Sequence, residues 1–261
     1  MKKYALVVIG FVSLFQLNGQ VITNYTTSEG LLDNYVECVD VDLQNHIWFG
    51  TSVGLQMFDG ENWMSYTTTE YPNMVSDNIK VIRAMENGDI WIGTDLGACR
   101  FDGAIWATFD TSNGLNHNKV LSIDEAENGV IWIGTQTGIS YYDGSECASI
   151  VSPHWSGVNV TIAQAPDHIW FGSPIGGITF YDGGEYTSFD SSDGLLSNNT
   201  TDLLFDNDGN KWVGTGVGIS VLDETNLVVS QFTQMYILPP PDTLNQIVDL
   251  DMDSEGRIWA G

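Results

Sequence analysis

Apolar and polar positions along this chain alternate between two regimes. Val36 to Asp42 alternates and predicts a strand with one covered face. After a tight turn at Gln44-Asn45, His46 to Gly50 predicts a second strand. Its centre, Ile47-Trp48-Phe49, is continuously apolar, as expected of a strand covered on both faces. Ser52-Val53-Gly54 turns the chain, and Leu55 to Asp59 forms a third strand. Asp59-Gly60 is a strong hairpin signal. Asn62 to Thr67, carrying Trp63 and Tyr66, completes a unit of four strands.

That unit repeats. The stretch Ile47 to Gly60 recurs from Ile90 to Gly103, from Ile131 to Gly144, and from Ile169 to Gly183 with one residue inserted. A worn copy runs from Lys211 to Asp223, and another begins at Ile258-Trp259-Ala260-Gly261. The repeated tryptophans are Trp48, Trp91, Trp132, Trp170, Trp212 and Trp259, 38 to 47 residues apart. A period of about forty with Gly and aromatic punctuation predicts an all-β fold, a β-propeller of four-stranded antiparallel blades. Five full blades and a partial sixth would span residues 21–261 as one domain. A residue that recurs in every unit fits a packing role between blades, which assigns these six tryptophans to structure. Gly50, Gly93, Gly134, Gly172 and Gly214 stand where a side chain would block a neighbouring blade.

Asn87-Gly88, Asn128-Gly129 and Asp208-Gly209 are expected to turn strand one into strand two. Asp102-Gly103, Asp143-Gly144 and Asp182-Gly183 are expected to turn strand three into strand four. Both supply the positive φ of two-residue hairpins. The loops leading into each first strand vary most, and variation on one face of an array is where binding specificity usually sits. Val21 to Thr26 aligns with a fourth strand and is expected to help close the sixth blade, to which Asn245 to Gly261 give strands one and two. The interrupted last copy predicts that the natural chain continues.

Charge narrows the function. Eight Lys+Arg against 34 Asp+Glu leave a net charge of −26. Such a chain repels a phosphate backbone and an anionic membrane surface alike. The acids fall mainly at hairpin tips, where they are ordinary turn residues. Met1-Lys2-Lys3, the apolar run Tyr4 to Leu17 and the small or polar Asn18-Gly19-Gln20 predict a secretory signal over residues 1–20. The mature protein is then expected in the periplasm or outside the cell, with no membrane span after cleavage. Cys38, Cys99 and Cys147 sit in strands of different units and are expected to be buried free thiols, with no zinc or redox spacing among them.

The pattern Ile-Trp-(Phe/Ile)-Gly-Thr-x-x-Gly-(Leu/Ile)-x-x-(Phe/Tyr)-Asp-Gly resembles the two-component regulator propeller repeat. The resemblance covers residues 21–261, and the copy at Trp212 departs, having Leu222-Asp223-Glu224 in place of aromatic-Asp-Gly. Proteins with this repeat are typically exported by Bacteroidetes-type bacteria. Many are periplasmic sensor regions of hybrid histidine kinases, often for oligosaccharides, and others are secreted proteins of unknown role. The resemblance implies a non-enzymatic sensor or scaffold that binds a ligand or a protein, without a cofactor.

Candidate site residues come from two places. Asn34, Asn78, Asn118, Asn159, Asn199 and Asn245 lie 11 to 14 residues before the repeated Trp and would ring one mouth of the channel. Their recurrence favours a turn-capping role over a ligand site. In the variable loops, Tyr71, His117, His154 and Trp155 are the candidate ligand contacts. Trp155 stands outside the repeated position, where blade packing does not explain it, and a loop Trp can stack on a sugar ring or fold back on its own blade. The alternative function is a calcium-dependent hydrolase resembling lactonase and phosphotriesterase propellers, with Glu37, Asp202 and Asp249 near the channel. Asp206-Asn207-Asp208-Gly209-Asn210 begins like a calcium loop but lacks its closing Glu and is assigned to a turn.

Overall fold

The computed structural model describes residues 23–150, 157–158, 160–165, 168–233 and 246–261. All regular elements in them are strands. The first blade holds β1 to β4 at Val36–Val41, Ile47–Thr51, Gly54–Phe58 and Trp63–Tyr66. The second holds β5 to β8 at Ile79–Ala84, Ile90–Thr94, Ala98–Phe101 and Trp106–Phe109. The third holds β9 to β12 at Val120–Glu125, Ile131–Thr135, Gly138–Tyr142 and Cys147–Ile150. The fourth holds β13 to β16 at Val160–Ala165, His168–Ser173, Gly177–Tyr181 and Tyr186–Phe189. The fifth holds β17 to β20 at Thr200–Phe205, Lys211–Thr215, Gly218–Leu222 and Val228–Phe232. Two strands follow, β21 at Leu250–Met252 and β22 at Ile258–Ala260.

Each four-stranded sheet is an antiparallel meander in sequence order. The innermost strands β1, β5, β9, β13, β17 and β21 are neighbours in succession. Among the described residues the sheets do not close into a ring between β21 and β1. The fold is propeller-like, as the repeat predicts. Residues 23–26 form no strand, contrary to the expectation of a closing fourth strand. Tyr25 nevertheless packs against Phe58 and Trp63 at ring separations of 5.1 and 5.5 Å. Tyr66 makes the matching contacts to Phe101 and Trp106 of the second blade. The segment therefore supplies a fourth strand's aromatic contact without a strand's hydrogen bonds.

Packing between blades explains the repeated residues. Trp91 touches Tyr142 of the next blade, Trp132 touches Phe171 and Tyr181, and Trp170 touches Phe205. The first four repeated tryptophans are buried. Trp259 has no following blade over it in the described residues and is 59% exposed. The glycine two residues after each of the first five Trp admits the neighbouring first strand or the chain leading into it. A Cβ on Gly50 would stand 2.8 Å from Cγ2 of Ile79, and one on Gly214 2.9 Å from Cγ2 of Ile247. The core consequently divides into clusters lying between successive blades.

Turn geometry refines the expectation of two-residue hairpins. Between β5 and β6, Met85 N donates to Asp89 O and Gly88 N to Met85 O, which makes a three-residue loop with Gly88 at φ +91°. Asn45 takes this left-handed place in the first blade, at φ +65°. Between β3 and β4, Asp59 does not sit at the turn centre. Gly60 does, at φ +101°, while the Asp59 carboxylate accepts the backbone N–H groups of Glu61 and Asn62.

Candidate functional site

Antiparallel meanders give the molecule two distinct ends. One carries the loops into each first strand together with the turns between second and third strands. The other carries the two hairpin sets rich in Asp, Asn and Gly.

On the loop end, a recurring clamp holds the loop against its own first strand. Asn34 Oδ1 accepts the N–H of Thr27, Asn118 Oδ1 that of Thr111, and Asn198 Oδ1 that of Ser191, at 2.7–2.8 Å. In the second blade Asp77 does the same work, accepting from Thr68 N at 2.6 Å and Thr68 Oγ1 at 2.9 Å. All four acceptors stand fourteen residues before their blade's Trp. Asn78 and Asn199 are one residue displaced from this place, so the expected ring is not one equivalent position. Asn78 Nδ2 donates to Asp95 Oδ2 at 3.2 Å, and Gly216 N donates to the Asn199 carbonyl. Asn159 and Asn245 lie outside the described residues. The signal that identifies the clamp is distance from the Trp, with Asn and Asp interchangeable because only an acceptor oxygen is needed.

Of the loop candidates, Tyr71 is half-buried and packs on Tyr66 and Trp106 at 5.3 and 6.3 Å. His117 Nδ1 accepts the N–H of Lys119 at 2.9 Å, which makes this nitrogen the unprotonated one. His154 and Trp155 lie outside the described residues. What the loop end does present is an array of apolar tips. Val53, Leu96, Ile175 and Val217, each five residues after the repeated Trp, are 46–67% exposed. Thr137 takes the place in the third blade.

The three channel acids do not form one cluster: Asp202 and Asp249 lie together, and Glu37 is paired elsewhere. Glu37 pairs with Lys80 at 2.8 Å, and Arg83 with Asp124 at 2.6 Å, each across neighbouring blades. Asp202 Oδ2 accepts the N–H of Leu250 at 2.6 Å, and burial pushes its pKa up to about 6. Asp249 beside it is also raised, by burial and by Asp251. Among the described residues no group of three or more His, Cys, Asp or Glu is placed to hold a metal ion. The turn at residues 206–210 is likewise committed: the Asp206 carboxylate accepts from Asp208 N, Asn210 N and Trp212 Nε1. The cysteines are free, and burial raises the Cys38 thiol to about 12 and that of Cys147 to about 11, which leaves both unreactive thiols at neutral pH.

Fold and repeat together define a β-propeller of blade-packing Trp-Gly units. Residues 114–137 match the family model described as two component regulator propeller, so the resemblance read from the repeat holds at the copy containing Trp132. No curated protein matches the sequence. Among solved structures, the chain is similar to the extracellular domain of a B. thetaiotaomicron protein assigned to hybrid two component systems. That match has 19% identity and a TM-score of 0.59, covering 88% of this chain and 37% of that one. PorZ, a surface component of the type-IX secretion system of Porphyromonas gingivalis, matches at 18% identity and a TM-score of 0.60, covering 83% and 42%. Virginiamycin B lyase of Staphylococcus aureus matches at 14% identity and a TM-score of 0.68, covering 85% and 75%. At these identities the likeness is one of fold. The chain spans well under half the length of the first two.

Proposed function

We propose that this chain is an exported, non-enzymatic propeller that binds a ligand or a protein on its loop end, as part of a sensor or scaffold. The exposed apolar tips at Val53, Leu96, Ile175 and Val217 carry this reading. Apolar side chains that recur at one end of a strongly acidic protein are candidates for the surface that a partner covers. The variable loops beside them supply Tyr71, His117, His154 and Trp155 as candidate contacts. The extracellular placement of the two-component neighbour supports a periplasmic or extracellular site of action. Residues 1–20 would then be the signal that brings it there.

A screen of soluble oligosaccharides and peptides by calorimetry tests the proposal. The expected result is saturable binding that weakens at least tenfold when Leu96 and Val217 are both changed to Lys, while thermal stability is kept. Binding unaffected by these changes would move the site elsewhere. The hydrolase alternative predicts stoichiometric calcium binding and turnover of a lactone or phosphotriester. Detecting both, with loss on Asp202→Asn, would overturn the non-enzymatic reading.

A further inference from the structure

The repeat provides its own control for function, because a residue that leaves the pattern is not explained by what the pattern does. The position before the repeated Trp is Ile47, Ile90, Ile131, Ile169 and Ile258 in five copies, and Lys211 in the remaining one, the fifth. Lys211 is only 5% exposed. A buried ammonium in place of a core methyl group costs stability unless it is compensated. Compensation within the protein is incomplete. Nζ donates one hydrogen bond, at 2.8 Å, to the neutral carbonyl of Asp223, and lies 5.4 Å from the centre of the Trp170 ring. Among the described residues no carboxylate stands within ion-pair distance of it. Burial lowers the pKa of Lys211, partly offset by the fields of Asp223 and Glu224.

A second departure lies at the same corner. In the first blade Phe58 pairs with Trp63, leaving four residues in the hairpin between third and fourth strands. In the fifth blade Leu222 pairs with Val228, so this hairpin holds one residue more. The longer turn places Asn226 at φ +66°, a left-handed conformation, and leaves its buried Oδ1 without a hydrogen-bond partner. Both departures border one cavity of about 200 Å³, lined by Trp170, Phe180, Gly209, Lys211, Glu224 and Asn226. It opens between the fourth and fifth blades, at the hairpin end and not at the loop end.

The lining chooses the ligand. A buried ammonium with no carboxylate in ion-pair contact calls for an anionic group. The orphaned Asn226 oxygen and the exposed Glu224 carboxylate call for a cationic donor. Phe180 and Trp170 offer apolar surface. The protein's charge of −26 disfavours a ligand with net negative charge. The volume lies below the ~300–1,000 Å³ of pockets for larger ligands and suits one small molecule. We propose that this corner binds a small zwitterion of the α-amino acid class. Lys211 takes its carboxylate, Glu224 and Asn226 Oδ1 take its ammonium, and Phe180 covers its side chain. The site stands apart from the loop-end function and does not depend on it.

The test uses the whole chain and a panel of L-amino acids followed by calorimetry. Lys211→Ile writes the repeat's own residue back into the fifth copy, so this variant is expected to fold and to unfold at the same temperature or higher. The expected result is saturable, one-to-one binding of at least one apolar amino acid such as L-leucine, weakened at least tenfold by Lys211→Ile. L-leucinamide, which lacks the carboxylate, and 4-methylpentanoate, which lacks the ammonium, should each bind at least tenfold more weakly than L-leucine. No binding across the panel, or equal binding by Lys211→Ile, overturns the site. Equal binding of 4-methylpentanoate overturns the zwitterion assignment. If Lys211→Ile does not fold, Asn226→Gly, which suits the left-handed turn, carries the same expectation of weakened binding.

Discussion

Trp48 and Trp132 hold the same place in their blades but not the same hydrogen bonds. Asp42, six residues before Trp48, accepts from the indole Nε1 at 2.9 Å and from the backbone N–H groups of Gln44 and His46. Asp206 and Asp253 repeat the bond to Trp212 and Trp259. In the third blade that position is Ala126, and the buried Nε1 of Trp132 has no partner. Asp42→Ala should therefore cost about 2 kcal/mol, the scale for losing hydrogen bonds to a buried charged acceptor. Urea unfolding checks it, and a cost near zero would show that the turn holds without its carboxylate. Gly93 makes a sharper case. A Cβ there would strike the γ-carbons of Val81 and Val120, the latter from the next blade. Gly93→Ala should destabilise by about 1–3 kcal/mol through overpacking, whereas the same change at Gly103 meets no atom within 4 Å and tests only the turn's positive φ.

At the scale of the element, hairpins and inner strands respond to pH in opposite directions. Asp59, Asp102, Asp143 and Asp182 accept backbone N–H groups at the turn from third to fourth strand, and Asp223 accepts first the Thr225 hydroxyl and then backbone N–H groups, which lowers the pKa of each below the ordinary 3.8. A group with a lowered folded pKa contributes stability above its unfolded value and loses it as pH falls through the folded one. The hairpins should accordingly loosen only below about pH 4. Asp202, raised by burial to about 6, behaves the other way. Its contribution is complete below the unfolded value and is lost as pH rises through 6. Asp249 adds to that repulsion and Arg83 opposes it. Because ionisation puts the buried charges of Asp202 and Asp249 side by side where β17 meets β21, outweighing the Leu250 N–H bond that favours the charged carboxylate, hydrogen exchange in β21 and β22, corrected for intrinsic rates, should be faster at pH 8 than at pH 5. Equal protection at both would remove the coupling. The strands themselves were legible in the chain, because continuous apolar runs such as Ile47-Trp48-Phe49 admit little but a doubly covered strand. The clamp was half legible. Asn34 and Asn118 stood out by residue type, but Asp77 and Asn198 emerge only when position is counted from the Trp. The cavity at Lys211 was not legible at all, since it needs a hairpin and a turn of one blade to meet Trp170 and Phe180 of another.

The whole molecule is an array in which each blade mainly touches its neighbours, so stability is carried by the interfaces between units. A charge of −26 works against that compactness through self-repulsion. Raising ionic strength shortens the Debye length from about 30 Å at 0.01 M to about 8 Å at 0.15 M. The melting temperature should rise over that range, and scanning calorimetry at fixed pH checks it. A flat or falling profile would mean that the pairs Lys80–Glu37 and Arg83–Asp124, which salt weakens, matter more than the net field.

The clamp at the loop end has a further consequence. Acceptor and donor are seven residues apart at Asn34, Asn118 and Asn198, but nine apart at Asp77, and the fold beneath is the same. The pin fixes where the chain re-enters the sheet and leaves the enclosed length free. Each of the four pinned loops is thus a socket for foreign sequence at its exposed positions. A peptide of eight residues spliced in between the exposed Thr69 and Glu70 should be displayed at that end at only a small cost in melting temperature, provided Thr68, Asp77 and the packed Tyr71 and Met74 are left in place.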